Sequence, residues 1–221
     1  MSKMDKTGYL FAAAIFFVFF GSIYLIYVNR IAFEPKLPVA SVTPKSDNIQ
    51  TPVPVLEDTT TKTKMKQYDK FPGVLKDSEI NNKKAVIETD KGKIEFEIFP
   101  EAPKAASNFI FLTRDGFYDG LTFHRVVPGF VIQGGDPVGN GTGGPGYKFE
   151  DEPVKRAYDK GIVAMANSGP DTNGSQFFIM LADNPLPPNY TIFGKVISGQ
   201  EVVDQIKIGD KIVRVSIIDL K

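Results

Sequence analysis

Few side chains in this sequence could carry covalent or acid–base chemistry. The 221 residues include a single histidine, His124, and neither cysteine nor tryptophan. The lack of cysteine excludes disulfides, a thiolate nucleophile, and cysteine-ligated zinc or iron–sulfur clusters. Because only one histidine is present, any serine-type triad or histidine-based acid–base scheme would have to use His124.

His124 and its neighbour Arg125 lie in the apolar segment TFHRVV, residues 122–127. A general base needs a nucleophile and an orienting group nearby, and the sequence indicates neither, so a hydrolase using His124 has little support. In an extended strand adjacent side chains point to opposite faces, so we expect His124 to be structural and to face away from Arg125. A cation among apolar residues is costly unless it is paired or faces a polar cleft. Arg125 is therefore the stronger functional candidate.

Three amide side chains downstream of Arg125 also stand among apolar residues: Gln133, Asn167 and Gln176. Each could be a satisfied core amide. Together with Phe130 and Phe178 they could instead line an apolar cleft that contains a few fixed hydrogen-bonding groups. That composition is typical of a small-ligand or peptide site.

The sequence offers no clear signal for a cofactor, a metal ion or a nucleic acid. Residues 139–144, GNGTGG, fit the dinucleotide fingerprint by letters, but Pro145-Gly146 follows and no helical period appears, so we predict a loop. Lys and Arg total 26 and Asp and Glu total 26, which leaves no basic field for nucleic acid. We therefore predict no cofactor, no metal and no nucleic-acid partner.

The elements that must position these residues are predicted between about 83 and 221. A hairpin is expected around Asp90-Lys91-Gly92, since apolar and polar residues alternate on both sides of it. A helix is expected to begin at Pro103 and to stop near Gly116, and a second helix around Gln200–Ile206. Short apolar runs fill the rest, so the pattern predicts a mainly β barrel or sandwich with helical caps.

The N-terminal region carries a long uncharged segment. Residues 8–28 contain 21 residues without a charge, after a short tail at 1–7. A helix of that length spans roughly 30 Å, the hydrocarbon thickness of a bilayer. A cleaved signal peptide would have a shorter apolar core and a small-x-small site, which is not found here. We predict an uncleaved single-pass anchor with a cytoplasmic N-terminus, so that the globular domain is extracytoplasmic.

Residues 29–82 are predicted to be a linker between the anchor and the globular domain. Proline, threonine and lysine are frequent there, and such a composition buries too little apolar area to fold alone. Residues 71–82, FPGVLKDSEINN, regain apolar side chains and form a candidate docking segment.

Two long blocks in the globular part carry a family resemblance. Residues 123–136, FHRVVPGFVIQGGD, closely resemble the central signature of the cyclophilin-type peptidyl-prolyl cis–trans isomerases. Residues 165–179, MANSGPDTNGSQFFI, are similar to the second signature of that family. The resemblance covers about 83–221 in family order and spacing, and it leaves the anchor and the linker outside.

The resemblance implies a closed eight-stranded antiparallel β-barrel capped by two α-helices, with a peptide groove on its outer face. It implies that Arg125 is the catalytic arginine and that His124 supports the groove. The positions implied to bind substrate are Phe130, Val131, Gln133, Ala166, Asn167, Gln176, Phe178, Leu186 and Tyr190.

One region departs from the family pattern. The segment 183–190, DNPLPPNY, is proline-rich and is shorter by one residue. Many members have a tryptophan beside the Leu186 position, and many have a second histidine where this chain has Tyr190. The missing tryptophan argues against strong cyclosporin binding.

The chemistry implied by the resemblance suits the scarcity of catalytic side chains. Rotation about an X–Pro bond breaks no covalent bond, so neither a nucleophile nor a metal is required. We predict a membrane-anchored prolyl isomerase acting on unfolded or exported polypeptides, in which Arg125 stabilises the twisted amide over an apolar proline pocket. The alternative is a non-catalytic module that uses the same groove for proline-peptide binding or scaffolding.

Overall fold

The computed structural model describes residues 65–220. The strands are β1 (Lys83–Thr89), β2 (Gly92–Ile98), β3 (Arg125–Val127), β4 (Val131–Gly134), β5 (Ile162–Met165), β6 (Phe177–Met180), β7 (Ile192–Ser198) and β8 (Ile212–Asp219). The helices are α1 (Asp77–Ile80), α2 (Pro103–Arg114) and α3 (Gln200–Val203). The predicted anchor at 8–28 lies outside the described residues, and no helix within 65–220 is long and apolar enough to cross a membrane.

The eight strands form one antiparallel sheet in the order β3-β4-β6-β5-β7-β2-β1-β8. Its two edges meet just before β3 and at the start of β8. There the Phe123 N–H donates to the Asp210 carbonyl at 2.9 Å, and the Ile212 N–H donates to the Leu121 carbonyl at 2.8 Å. The predicted mainly β class with eight antiparallel strands is confirmed, while the closure is this short junction and not a full β3–β8 pairing.

The predicted hairpin and first helix are also present. The pair Thr89–Gly92 closes the β1–β2 turn, and Gly92 adopts a φ of 136° that a side chain would disfavour. Helix α2 begins at Pro103, and its first free N–H groups are capped by a residue that is distant in sequence. The carboxylate of Glu152 accepts from the Lys104 N–H at 2.9 Å and from the Ala105 N–H at 2.8 Å.

The second predicted helix is shorter than expected. Helix α3 ends at Val203, whereas the apolar pattern predicts a helix to Ile206. The Gln205 N–H bonds to the Val202 carbonyl and the Ile206 N–H to the Val203 carbonyl, which are three-residue and not four-residue steps. The last turn therefore tightens out of α-helical geometry.

Apolar side chains form two separate clusters on the two faces of the sheet. In the inner core, the Phe109 ring of α2 lies 5.3 Å from the Phe96 ring, 5.5 Å from Phe177 and 5.4 Å from Phe193, between centroids. The outer cluster has these buried members: Phe99, Val131, Tyr158, Ile162, Ala164, Phe178, Met180 and Ile192. Strands β5 and β6 are buried on both faces, which explains why their sequences IVAM and FFIM lack the usual alternation.

Residues 66–82 pack against the domain. The Phe71 ring stacks on Phe149 with centroids 5.1 Å apart, and the Leu75 N–H donates to the Ser107 hydroxyl at 2.9 Å. Ile80 is buried in the inner core. These contacts include the candidate docking segment 71–82 and begin several residues before it.

Candidate active site

Strand pairing brings Arg125, Gln133 and Phe178 into one row across the sheet. Arg125 of β3 lies opposite Gln133 of β4, and Gln133 lies opposite Phe178 of β6. Residues directly opposite each other in an antiparallel sheet project from the same face. Because Phe178 belongs to the outer cluster, the row lies on the outer face of the sheet.

A chain of hydrogen bonds runs from Arg125 to the Gly-rich loop at 139–144. Arg125 Nη1 donates to Gln133 Oε1 at 3.1 Å, and Gln133 Nε2 donates to Gln176 Oε1 at 2.9 Å. Gln176 Nε2 in turn donates to the carbonyls of Gly141 at 3.0 Å and Gly143 at 2.9 Å. Each amide thus has one orientation that satisfies both of its neighbours, which fixes the positions of both glutamines.

The Arg125 guanidinium keeps most of its donors. It is exposed, and it forms no salt bridge with any residue of the described range 65–220. Of the five N–H donors of an arginine, one is used by Gln133. The guanidinium carbon also lies 5.9 Å from the centroid of the Phe130 ring. The site therefore presents a cation whose charge is not neutralised, next to an aromatic ring.

The apolar residues predicted to bind substrate lie together in the outer cluster. Val131 and Phe178 are among its buried members, and four more pack against it while remaining partly exposed: Phe130, Ala166, Leu186 and Tyr190. The Phe178 and Tyr190 rings meet edge-on, with centroids 5.7 Å apart. Residues separated by up to 60 positions in sequence thus share one surface beside Arg125.

Asn167 lies at this surface, but its side chain is engaged within the protein. Its Nδ2 donates to the Asn189 carbonyl at 2.8 Å and to Asp151 Oδ1 at 3.2 Å. These bonds tie the segment after β5 to the loop that carries Leu186 and Tyr190. The Asn167 amide therefore holds the wall of the site.

His124 takes no part in the hydrogen-bond chain. Both ring nitrogens are buried, and within residues 65–220 neither meets the geometry of a hydrogen bond, although the Gln176 side chain is near enough to affect the titration of the imidazole. Burial lowers the pKa of His124, against an opposing effect of the Asp136 charge. Burial therefore favours the neutral imidazole, and no hydroxyl group of residues 65–220 forms a hydrogen bond with it.

Two site residues were missed by the sequence reasoning. Asp136 is 1% exposed and accepts from the N–H groups of Val138 at 2.8 Å, Asn140 at 3.0 Å and Gly141. Although burial acts in the opposite direction, these donors lower the pKa of Asp136. An aspartate followed by a Gly- and Asn-rich stretch is a common signature of such a turn and could have identified it.

Tyr158 is the second missed residue, and it holds the loop that carries Tyr190. Its hydroxyl donates to the Tyr190 carbonyl at 2.9 Å and accepts from the Tyr190 N–H at 3.1 Å. No local pattern in the sequence marks it, since its partner is 32 residues away.

The geometry agrees with comparisons to known proteins. Residues 84–219 match the family model described as cyclophilin type peptidyl-prolyl cis-trans isomerase/CLD. The chain belongs to the cyclophilin family. Over 132 residues it is 49% identical to a Helicobacter pylori peptidyl-prolyl cis-trans isomerase, covering 57% of this chain and 81% of that protein. Over 125 residues it is 54% identical to Bacillus subtilis peptidyl-prolyl cis-trans isomerase B, covering 55% and 87%.

Solved structures give the same result. The crystal structure of a Cryptosporidium parvum cyclophilin type peptidyl-prolyl cis-trans isomerase aligns with a TM-score of 0.58 at 38% identity. The alignment covers 62% of this chain and 98% of that one. A second crystal structure of that protein, obtained in the presence of the dipeptide Ala-Pro, aligns with a TM-score of 0.54.

The predicted enzyme class is therefore confirmed. This cyclophilin is a peptidyl-prolyl cis–trans isomerase, an enzyme class that acts on X–Pro peptide bonds.

Proposed function

We propose that Arg125 is the catalytic residue and that it acts by binding the twisted X–Pro amide. The planar amide rotates over a barrier of about 18–20 kcal/mol, because resonance is lost when the bond is twisted. Catalysis then requires tighter binding of the twisted form than of either planar form. A guanidinium can donate to the proline nitrogen, whose lone pair becomes available as resonance fades.

The observation that carries this proposal is the environment of the Arg125 guanidinium. Its partner is the neutral amide of Gln133, and no carboxylate of the described range pairs with it. A carboxylate would offset the positive charge and occupy the donors, whereas an amide orients the group and leaves its charge available.

The proline ring is proposed to sit on the outer cluster beside Arg125. Phe130, Val131, Phe178 and Leu186 would form the apolar wall, with Tyr190 at its edge. Gln133, Ala166, Asn167 and Gln176 would line the path of the peptide backbone, with His124 supporting the groove from behind. Holding the ring on a fixed apolar surface allows the preceding carbonyl to turn while the proline stays in place.

The test is a proline-isomerisation assay on the full chain with Arg125→Ala. Loss of one preorganised donor to a transition state lowers kcat by about 10²–10³, and we expect a loss of that size. Arg214→Ala is the matched control, because Arg214 is an exposed arginine of β8 in the same sheet. Equal activity of Arg125→Ala and the wild type would reject the proposal. If the wild type itself shows only background activity, the alternative of a non-catalytic module that binds proline peptides would be favoured.

We also propose that residues 8–28 anchor the enzyme in a membrane, with the N-terminus cytoplasmic and the catalytic domain extracytoplasmic. In that position the domain would act on unfolded or newly exported chains. The support is the 21-residue uncharged segment. Replacing both Ile15 and Phe19 with aspartate adds about 2.5–3.5 kcal/mol per charge to insertion, so we expect the variant to leave the membrane fraction. Protection of the domain from protease added outside intact cells would contradict the orientation.

A further inference from the structure

The N-terminal segment, residues 65–68, contacts the domain beside the proposed substrate groove. The Tyr68 N–H donates to the Pro145 carbonyl at 2.8 Å, and Gln67 Nε2 donates to the Gly144 carbonyl at 3.0 Å. These two bonds lay residues 67–68 along the end of the Gly-rich loop. The same loop accepts hydrogen bonds from Gln176 Nε2 at the carbonyls of Gly141 and Gly143.

The Tyr68 side chain anchors this arrangement. Its ring contacts Phe111 edge-on at 5.3 Å and Tyr147 at 6.3 Å, between centroids. Its hydroxyl donates to Asp115 Oδ2 at 2.6 Å, and Lys66 forms an ion pair with the same carboxylate. An aromatic ring with a satisfied hydroxyl fixes the direction in which the chain leaves the domain.

The loop is shaped to accept the segment at close range. Gly146 has a φ of +99°, and a Cβ placed there would lie 2.6 Å from the Tyr68 carbonyl oxygen. A side chain at that position would both strain the backbone and displace the segment. The approach of residues 67–68 therefore depends on the local sequence of the loop.

Residues 65 and 67 reach a cleft that also contains the proposed substrate residues. The cleft has a volume of about 1020 Å³. Met65 and Gln67 line it together with Gln133, Ala166 and Gln176. Met65 is 52% exposed, and its unbranched thioether can adapt to different apolar partners. The N-terminal segment and the isomerase groove thus share one continuous surface.

We propose that Met65 and Gln67 are specificity-determining residues that bind a substrate side chain flanking the X–Pro bond. The ligand is an extended polypeptide that passes Arg125 and continues into the cleft. There Met65 supplies an apolar contact and the side-chain oxygen Oε1 of Gln67 accepts a hydrogen bond. The inference rests on the proposed placement of substrate along Gln133 and Gln176. It makes the end of the linker part of the binding surface as well as a tether.

The test compares peptide lengths on the full chain. The substrates are a capped four-residue peptide containing Ala-Pro and two longer peptides extended by four residues on the N-terminal or the C-terminal side. The double variant Met65→Ala with Gln67→Ala is expected to lower the kcat/KM ratio of one extended peptide to the short peptide by about three- to tenfold, as loss of a hydrogen bond and an apolar contact predicts. The change should appear in KM.

Two further variants separate the possible outcomes. Tyr68→Ala, which removes the anchor, should lower the same ratio. Lys70→Ala should not, since Lys70 is exposed and makes no hydrogen bond or ion pair within residues 65–220. An unchanged ratio for the double variant with both extended peptides would overturn the inference. Failure of the proposed catalytic site would appear separately, as full activity of Arg125→Ala on the short peptide.

Discussion

Strands β4, β5 and β6 bury side chains on both faces, but the two faces are covered in different ways. On the inner face, Phe177 and Ile179 belong to the fully buried core, in which Phe177 contacts Phe109 of helix α2. On the outer face, their neighbours Phe178 and Met180 are covered by loop residues such as Leu186, which stays partly exposed. Alternate residues of one strand therefore serve two purposes. The inner set forms the core, and the outer set forms the proposed binding surface.

The inner core should show the largest effect on stability. Phe109→Ala removes the ring that contacts Phe96, Phe177 and Phe193, and it should lower the free energy of unfolding by about 3–5 kcal/mol. Urea unfolding measures the loss. The kcat/KM of the molecules that remain folded should stay within about twofold of the wild type, as expected for a site on the opposite face. A large loss of activity per folded molecule would show that the inner core and the proposed site are not independent.

A substitution in the outer cluster should affect stability less and activity more. Phe178→Ala should cost about 2–3 kcal/mol, at the low end for such a change because the cluster is open at its edge and can relax. Its kcat/KM should fall more than about tenfold, since the proposed proline pocket loses a wall. Unfolding and isomerisation measured on the same preparation test both statements. Wild-type activity in this variant would show that the outer cluster is merely a second core.

The hydrogen-bond chain between the two glutamines should have a smaller effect. Gln176→Glu still accepts from Gln133 but cannot donate to the carbonyls of Gly141 and Gly143. We expect a loss of about 1–2 kcal/mol in unfolding free energy and a several-fold decrease in kcat/KM as the loop loosens. Gln205→Ala is the control, because Gln205 makes one exposed bond to its own helical turn. Equal behaviour of the two variants would argue against a positioning role.

The smallest effect should come from pH. The guanidinium is charged at all working pH values, and burial lowers the pKa of His124, so kcat/KM should be flat from about pH 6.5 to 9. Below about pH 6.5 the unfolded chain protonates His124 before the folded chain does, so stability should fall as the pH decreases. A sigmoidal kcat/KM profile that disappears in His124→Asn would instead indicate acid–base chemistry.

The sequence indicates candidate residues for the site, but it does not indicate the hydrogen bonds that connect them. Arg125, Gln133 and Gln176 could be proposed because each is a polar side chain in an apolar stretch of sequence, where burial without a partner costs free energy. Their hydrogen bonds could not, because they depend on which strands pair, and Gln133 and Gln176 are 43 residues apart. The hydrogen bonds of the Asn167 side chain to Asp151 and Asn189 could not be predicted either. Which acceptors a side-chain amide reaches depends on the folded arrangement of the chain.

The sequence also could not predict where the packed N-terminal segment begins. Tyr68 is a single aromatic residue among Lys66, Gln67, Asp69 and Lys70, so no apolar period marks it. Its partners Phe111 and Tyr147 come from α2 and from the end of the Gly-rich loop. Only the folded domain brings those two regions together.

The central claim is that Arg125 binds the twisted amide more tightly than the planar substrate. The most direct test measures both kcat and the Kd of one X–Pro peptide by NMR exchange, for the wild type and for Arg125→Ala. We predict that kcat falls by about 10²–10³, while the Kd changes less than about threefold, as expected when the lost interaction exists mainly in the transition state. An unchanged kcat, with a Kd that weakens by as much as kcat/KM falls, would contradict the account.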